Sequence, residues 1–260
     1  LNKPVLKVLD NLLWNIAQFC VSLRRLTVKY NGALIRVRRS SDNSESDISF
    51  NSQGVLDSVS LLNFVGANNG FITKWYDQSG NGYHVDQTTA AFQPKIISSG
   101  SLNLINNKPT ISFLKSSTQS LSNAASFLVR STYIVASYTG ATYADYDGAN
   151  CDMGVSTFGI LGDAATTSLY QSFKTNYVNG IQTSVTPMNN SLFVAVSQET
   201  NMDSTWNGFN IGKQSSYLFR TWDGNISEAF NFSTRSVSDK RLIELNQSKY
   251  YFLRYKYIPI

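Results

Sequence analysis

Residues 73–93 read TKWYDQSGNGYHVDQTTAAFQ, and this stretch is the least random part of the chain. It opens as an apolar strand ending at Trp75 and Tyr76, runs into DQSGNG, and continues as a second strand-like piece. Asp and Asn side chains bond their own backbone in turns, and glycines at residues 80 and 82 can take the positive φ that tight turns need. The pattern therefore predicts two short strands joined by a polar turn, around which the rest of the fold is organised.

The same turn carries two candidate functional features. Asp77, Ser79 and Asn81 alternate as oxygen donors of the kind that bind Ca²⁺, but the bidentate Glu expected at the end of such a loop is missing. A turn bonded to itself is therefore the favoured interpretation. His84 is the only histidine, which excludes a multi-histidine metal site and makes a serine triad implausible. We expect His84 to be structural, and we expect no metal ion and no cofactor.

Composition and charge favour one all-β domain. Aromatic residues are 13% and charged residues only 15% of 260 residues, which is typical of short strands with polar turns and not of a helical bundle. The net charge is +5, and part of it is local. We interpret this local charge as a basic strand facing solvent, because no nucleic-acid module accompanies it. The arginines concerned are Arg24, Arg25, Arg36, Arg38 and Arg39.

The two cysteines and the ends of the chain give weaker information. Cys20 and Cys151 could pair, but one distant pair is no disulfide framework, and free buried thiols are equally compatible. No apolar run reaches membrane-spanning length. The chain starts at Leu1 and has no signal peptide with a cleavage site, so we expect a processed protein or part of a longer polypeptide.

Periodicity divides the chain into an extension and a domain. Apolar residues at helical spacing predict a helix over residues 6–20, packed either on its own domain or against a neighbouring subunit or upstream domain. Many short strands with turn signals between them follow, including residues 131–138 and 208–211, and residues 238–251 predict a closing helix. We predict an N-terminal helical extension or junction at 1–20 and one β domain at 21–260.

Two sets of motifs resemble known families. Residues 177–181 (YVNGI), 192–196 (LFVAV), 209–212 (FNIG) and 222–245 resemble concanavalin A-like lectin and glucanase sandwiches, including laminin G-like domains. Residues 31–49, 54–58 (GVLDS) and 75–87 (WYDQSGNGYHVDQ) resemble the catalytic domain of α-L-arabinofuranosidase B, glycoside hydrolase family 54. The resemblance implies a concanavalin A-like, two-sheet antiparallel β-sandwich (jelly roll) with an N-terminal helical extension and a short C-terminal helix.

The resemblance also implies a retaining hydrolase, which needs a nucleophilic and an acidic carboxyl group about 5 Å apart. The family's nucleophile is a Glu two residues after an Asp. Here the Asp is matched by Asp163, but Ala165 stands at the position of the Glu. The family's acid, an Asp, is matched by Gln214, and Asn150 replaces one of two adjacent cysteines. Alanine cannot attack an anomeric carbon and glutamine cannot protonate a leaving group, so we predict no catalytic residue.

A sugar site remains possible without catalysis. The loop at residues 143–152 mixes Tyr, Asp and Asn, and such rings and side-chain oxygens suit sugar faces and hydroxyls. Ordinary loop and core aromatics explain the same residues equally well. The predicted carbohydrate-binding residues are Asp147, Asn150, Asp163, Trp206 and Gln214.

The leading functional hypothesis is therefore a non-catalytic surface or virion-associated module, such as a fibre, capsid decoration or adhesin, with glycan binding. One alternative is an active α-L-arabinofuranosidase-like glycoside hydrolase, and another is a purely structural assembly protein. The expected partners are a glycan or cell-surface polysaccharide and, through the N-terminal segment, other subunits of an assembly. Nucleic acid and membrane are not expected partners, and the expected location is extracellular, on a cell surface or on a virion.

Overall fold

The computed structural model describes residues 9, 13–14, 16–139, 151–152, 174–183, 197–213, 221–233 and 237–253. Of residues 151–152, 174, 197–207 and 237–239 it describes the backbone alone. This part of the chain is mostly β-structure, with sixteen strands and two helices. No helix within it is long and apolar enough to cross a membrane.

The strands follow one another along the whole described chain. They are β1 (Ala17–Ser22), β2 (Ile35–Arg39), β3 (Glu45–Ile48), β4 (Gly70–Trp75), β5 (Val85–Asp86), β6 (Lys95–Ser98), β7 (Ser101–Leu102), β8 (Leu104–Ile105), β9 (Lys108–Pro109), β10 (Ile111–Phe113), β11 (Leu121–Tyr138), β12 (Cys151–Asp152), β13 (Lys174–Val178), β14 (Ile181–Gln182), β15 (Ser197–Ile211) and β16 (Gly224–Phe232). The helices are α1 (Ser58–Val65) and α2 (Val237–Tyr251), and single 3-10 turns lie at Ala90–Phe92 and Lys115–Ser117.

Six of these strands close into a ring. Hydrogen-bonded neighbours run β16, β10, β6, β4, β5 and β11, and β11 pairs back onto β16. The other strands of the sheet extend this barrel outward: β1 pairs with β16, β2 with β4 and β15 with β11. A closed ring leaves no unpaired edge along its own circuit, so backbone hydrogen bonds join all six strands.

The predicted concanavalin A-like two-sheet jelly roll is therefore wrong. The predicted strands 131–138 and 208–211 are only the ends of β11 and β15, which are 18 and 15 residues long. β11 contains register shifts at Asn123/Ser126, Val129/Ser131 and Val135/Ala136. Such irregularities bend a strand, and β11 pairs with β5 near its start, at Ser122 and Asp86, and with β16 through its second half. This one bent strand thus closes the ring, which two separate sheets would leave open.

The interior of the barrel is filled by large apolar side chains. Phe19 and Phe127 both pack edge-on against Phe209, with ring centres 4.6 and 5.1 Å apart. Trp75 and Trp222 are completely buried in the same core. A second cluster lies outside the ring, where Ile243 of α2 packs with Phe230, Phe232 and other buried residues. The barrel and the C-terminal helix are therefore held together by two separate apolar cores.

The predicted helix over residues 6–20 does not extend to residue 20. Leu9 and Leu13 are helical, but residues from Ala17 onward form β1, which pairs with β16. Leu9, Leu13 and Cys20 are buried in the cluster beneath α2, so this segment packs on its own domain. Burial raises the pKa of the Cys20 thiol, which is free, and keeps it in the unreactive protonated form. The division of the chain at residue 20 stays a prediction.

A buried ion pair ties the N-terminal region to α2. Arg24 donates from Nε to Glu228 Oε2 (2.9 Å) and from Nη2 to Oε1 (3.1 Å), and Ser22 Oγ donates to the same carboxylate (2.6 Å). Arg24 Nη2 also donates to Asn246 Oδ1 of α2 (2.5 Å). Because the charges are paired and hydrogen-bonded, losing either partner would leave an uncompensated buried charge.

Gly212, just after β15, supplies the first test of this architecture. It has φ +87°, and a Cβ there would lie 2.4 Å from the Phe113 ring. Gly82 also has positive φ, at +76°, but a Cβ there meets nothing within 4 Å. We expect Gly82→Ala to cost about 1 kcal/mol, for the backbone alone, and Gly212→Ala about 3 kcal/mol, because it adds a clash. Urea unfolding of both variants measures the difference, and equal losses would contradict the close approach of Gly212 to Phe113.

Candidate functional site

The carboxylate of Asp77 is the centre of the turn after β4. Its Oδ1 accepts hydrogen bonds from the backbone N–H groups of Cys20 and Ser79, both at 2.9 Å. Its Oδ2 accepts from Ser79 Oγ (2.7 Å) and from the N–H of Tyr83 (3.0 Å). Asp77 is almost completely buried, so a carboxylate with fewer donors would be costly here. Four protein donors satisfy it, which supports the self-bonded turn over a Ca²⁺ site.

The side-chain amides of Gln78 and Asn81 bind the backbone of residues 17–26, which include β1, to the same turn. Gln78 is fully buried; its Oε1 accepts from the N–H of Leu26 (2.9 Å) and its Nε2 donates to the carbonyl of Arg24 (2.9 Å). Asn81 Nδ2 donates to the carbonyls of Ala17 (2.9 Å) and Gln18 (3.0 Å). Residues 77–81 are therefore a structural latch on the N-terminal strand, and their polar groups are used internally.

His84 belongs to this latch. Its Nδ1 accepts the N–H of Asp77 at 3.0 Å, and its ring stands edge-on to Tyr76 with centres 5.0 Å apart. Partial burial is the main reason why the pKa of His84 lies below its ordinary value, so the neutral ring is favoured. The contacts support the structural role expected from the sequence.

A second region, here called the Trp222 junction, lies where β15, β10, β11 and β16 meet. It consists of Phe113, Tyr138, Gly212 and Trp222 with Asp223. Trp222 is fully buried. Its backbone N–H donates to the carbonyl of Gly212 (2.9 Å), and its ring centre lies 5.1 Å from that of Tyr138. The start and the end of β11 both reach this junction, since Leu121 pairs with Ile211 and Tyr138 with Gly224.

Asp223 is the half-buried carboxylate of the junction. Its Oδ1 accepts the N–H of Lys115 (3.3 Å), and its carbonyl accepts from the N–H and Oγ1 of Thr139, both at 2.9 Å. Among the described residues, Oδ2 has no hydrogen-bond partner. The sequence indicates Asp223 only as one of several carboxylates. Lys115 and Thr139 have no sequence signal, because Lys115 lies in a 3-10 turn and Thr139 just after β11, and the two meet Asp223 only in the fold.

Four of the predicted carbohydrate-binding residues lie outside the described residues: Asp147, Asn150, Asp163 and Gln214. Trp206 lies on β15, opposite Phe127 in register, and its side chain is also outside the description. The described neighbours of two of them are paired: Cys151, which follows Asn150, pairs with Ile211, three residues before Gln214. The predicted site stays a prediction; of its residues, Gln214 is the nearest in sequence to the Trp222 junction, two residues after Gly212.

Comparisons with known proteins match part of the chain by sequence and most of it by structure. Residues 16–108 match the family model described as alpha-L-arabinofuranosidase B, catalytic. A GH54 α-L-arabinofuranosidase soaked with a cyclic sulfate inhibitor matches with a TM-score of 0.55 and 15% identity. An arabinofuranosidase complexed with arabinofuranosyl-α-1,2-xylobiose matches with a TM-score of 0.53 and 15% identity. Each match covers 88% of this chain and 62% of the other.

The chain shares the fold of GH54 arabinofuranosidases. A glutamate-to-glutamine mutant of such an enzyme, soaked with 4-nitrophenyl α-L-arabinofuranoside, matches equally well, with a TM-score of 0.56 and 14% identity. The chain spans about 62% of the length of these proteins. No curated protein matches it significantly. The match to the family model includes the Asp77 latch and ends before β11, and hence before Asp163 and Gln214.

The latch predicts a large cost for neutralising Asp77. In Asp77→Asn an NH₂ group replaces one of the two acceptor oxygens, so at least one buried donor loses its partner. We expect a loss of about 3 kcal/mol in the free energy of unfolding. Asp57→Asn is the control, because Asp57 caps α1 through Ser60 N–H and Asn caps helices equally well. Urea unfolding at pH 7 measures both, and a loss below about 1 kcal/mol in Asp77→Asn would contradict the latch.

His84 predicts a pH dependence of stability. Its folded pKa lies below the unfolded value, so the unfolded chain binds more protons as pH falls through about 6.5, and stability decreases. His84→Asn keeps an acceptor near the position of Nδ1 but cannot titrate, whereas His84→Gln places its oxygen elsewhere. Thermal unfolding between pH 7.5 and 5.5 should give a falling Tm for the parent chain. His84→Asn should give a flatter profile, and His84→Gln a lower Tm throughout; an unchanged slope in His84→Asn would exclude His84 as the cause.

Proposed function

We propose that this chain is a carbohydrate-active domain of the arabinofuranosidase type, which hydrolyses arabinofuranosyl side chains of a polysaccharide. The observation that carries the proposal is the match of residues 16–108 to a catalytic-domain model, on a fold shared with GH54 arabinofuranosidases. The comparisons favour this hydrolase over the non-catalytic surface or virion module expected from the sequence. They offer no support for a role in a virion.

The chemistry requires two carboxyl groups near one glycosidic bond. Asp223 is the described candidate, because it follows Trp222, whose backbone N–H bonds to Gly212, and because one of its carboxylate oxygens has no partner among the described residues. Asp163 is the candidate from the sequence motifs, because it matches the Asp that lies two residues before the family's nucleophile. We propose that these two carboxylates serve the reaction, in place of the family pair that Ala165 and Gln214 would interrupt.

The second candidate is glycan binding without hydrolysis. It is favoured by Ala165 and Gln214, which the resemblance of sequence motifs aligns with the family's carboxylates, and by a family match that ends at residue 108. Both candidates imply the same partner, a polysaccharide. Both are compatible with an extracellular location, which we propose because polysaccharides of this kind lie outside cells.

Hydrolysis of 4-nitrophenyl α-L-arabinofuranoside separates the two candidates. We expect the parent chain to release 4-nitrophenol, and Asp163→Asn and Asp223→Asn each to reduce kcat/KM by a factor of about 100 or more, because each removes an acid–base or nucleophilic group. Asp47→Asn is the matched control, since Asp47 is a solvent-facing carboxylate on β3 paired with Arg36. It should stay within about twofold.

One outcome would count against the hydrolase, and another against the two carboxylates assigned to it. Absence of nitrophenol release at high protein concentration would exclude it for this substrate class, and arabinan binding by the same sample would then support the non-catalytic candidate. Activity retained in both Asp163→Asn and Asp223→Asn would show that other carboxylates catalyse the reaction.

A further inference from the structure

We propose that the outer face of β2, β4 and β6 binds the carboxylate of an acidic, uronate-bearing polysaccharide. This goes beyond the proposed function and does not depend on hydrolysis. The site is a row of three side chains in register: Arg38 of β2 pairs with Phe71 of β4, and Phe71 pairs with Lys95 of β6. Arg38 Cζ lies 4.9 Å and Lys95 Nζ 5.6 Å from the centre of the Phe71 ring. Two cations, one from each strand that flanks β4, therefore share a single aromatic ring.

The guanidinium of Arg38 is held by hydrogen bonds in an orientation that suits the binding of an oxyanion. Its Nε donates to Gln93 Oε1 and its Nη1 to Asn43 Oδ1, both at 2.7 Å. Gln93 is itself buried and fixed, since its Nε2 donates to the carbonyl of Gln87 at 2.9 Å. Among the described residues, Nη2 has no partner. A guanidinium held on two nitrogens and stacked on a ring loses little freedom when its remaining edge binds a carboxylate.

The two cations of this row differ from the other cations around them. Arg36 forms a two-pronged ion pair with Asp47, Arg39 forms one with Asp42, and Lys74 lies 3.9 Å from Asp86. In the part of the chain that the structure describes, no carboxylate forms an ion pair with Arg38 or Lys95, although Glu45 lies opposite Arg38 in register. The excess charge on this face is thus confined to one row.

This confinement favours a polysaccharide over nucleic acid. Nucleic-acid surfaces neutralise many phosphates along a track of cations. Here the adjacent row carries Asp47, Arg36, Lys74 and Asp86 in register and is balanced by its own acids. Two unpaired cations at one aromatic ring match a single carboxylate on a sugar, with the apolar ring edge available to the sugar itself.

Titration calorimetry of the full chain with polygalacturonate, in buffer with 20 mM NaCl, tests the site. We expect binding by the parent chain and about tenfold weaker binding by Lys95→Gln, which removes one positive charge. We expect a similar loss for Arg38→Lys, which keeps the charge but lacks the planar guanidinium that binds a carboxylate through two nitrogens. Lys74→Gln is the matched control: it removes one positive charge from the same face, at a residue already paired with Asp86. It should change the Kd by less than about twofold. Glu45→Gln should tighten binding, because it removes the one acid opposite Arg38.

The remaining outcomes would overturn the proposal. Equal weakening by Lys95→Gln and Lys74→Gln would mean general attraction to a basic surface. Absence of polygalacturonate binding, or equal binding of neutral arabinan, would exclude a carboxylate site. Tighter binding of a single-stranded oligonucleotide, weakened by the same variants, would assign the row to nucleic acid. This experiment measures binding alone, so its result is independent of the proposed hydrolysis. An inactive domain can bind polygalacturonate, and an active one can fail to bind it.

Discussion

The buried carboxylate of Asp77 is the interaction on which the rest of the structure depends. It accepts four hydrogen bonds, one of them from the N–H of Cys20 in β1. Through Gln78 and Asn81 the same turn reaches four further backbone groups between residues 17 and 26. β1 in turn pairs with β16, which closes the barrel. A charged acceptor inside the protein has to be satisfied completely, so this turn has one conformation and fixes the path of the N-terminal segment.

The closed ring has a second requirement, which is met by the irregular strand β11. Its register shifts accompany a change of partners, from β5 and β15 near its start to β16 through its second half. The two ends of β11 meet at Trp222, where Gly212 leaves room for the Phe113 ring. Local flexibility of the backbone, supplied by bulges and a glycine, therefore produces the closure that regular strands could not.

Scaffold and chemistry lie in different parts of this chain. Residues 77–81, which lie inside the match to the family model, use their polar groups in internal hydrogen bonds, whereas Asp223 and Arg38 each keep one polar atom without a partner among the described residues. A family match through the scaffold therefore supports the fold more strongly than the reaction.

The sequence alone determined the polar turn, the structural role of His84 and the C-terminal helix, because each depends on residues close together in the chain. The predicted residues 238–251 agree with α2 (Val237–Tyr251). Strand spacing could not distinguish a jelly roll from a closed barrel, since both present short alternating segments, and the polar residues of β11 concealed its length. Only the tertiary structure placed Trp222 against Gly212 and Asp223 against Thr139, and aligned Arg38, Phe71 and Lys95 in one row. These arrangements depend on the register between strands, which is set by long-range pairing and not by local sequence.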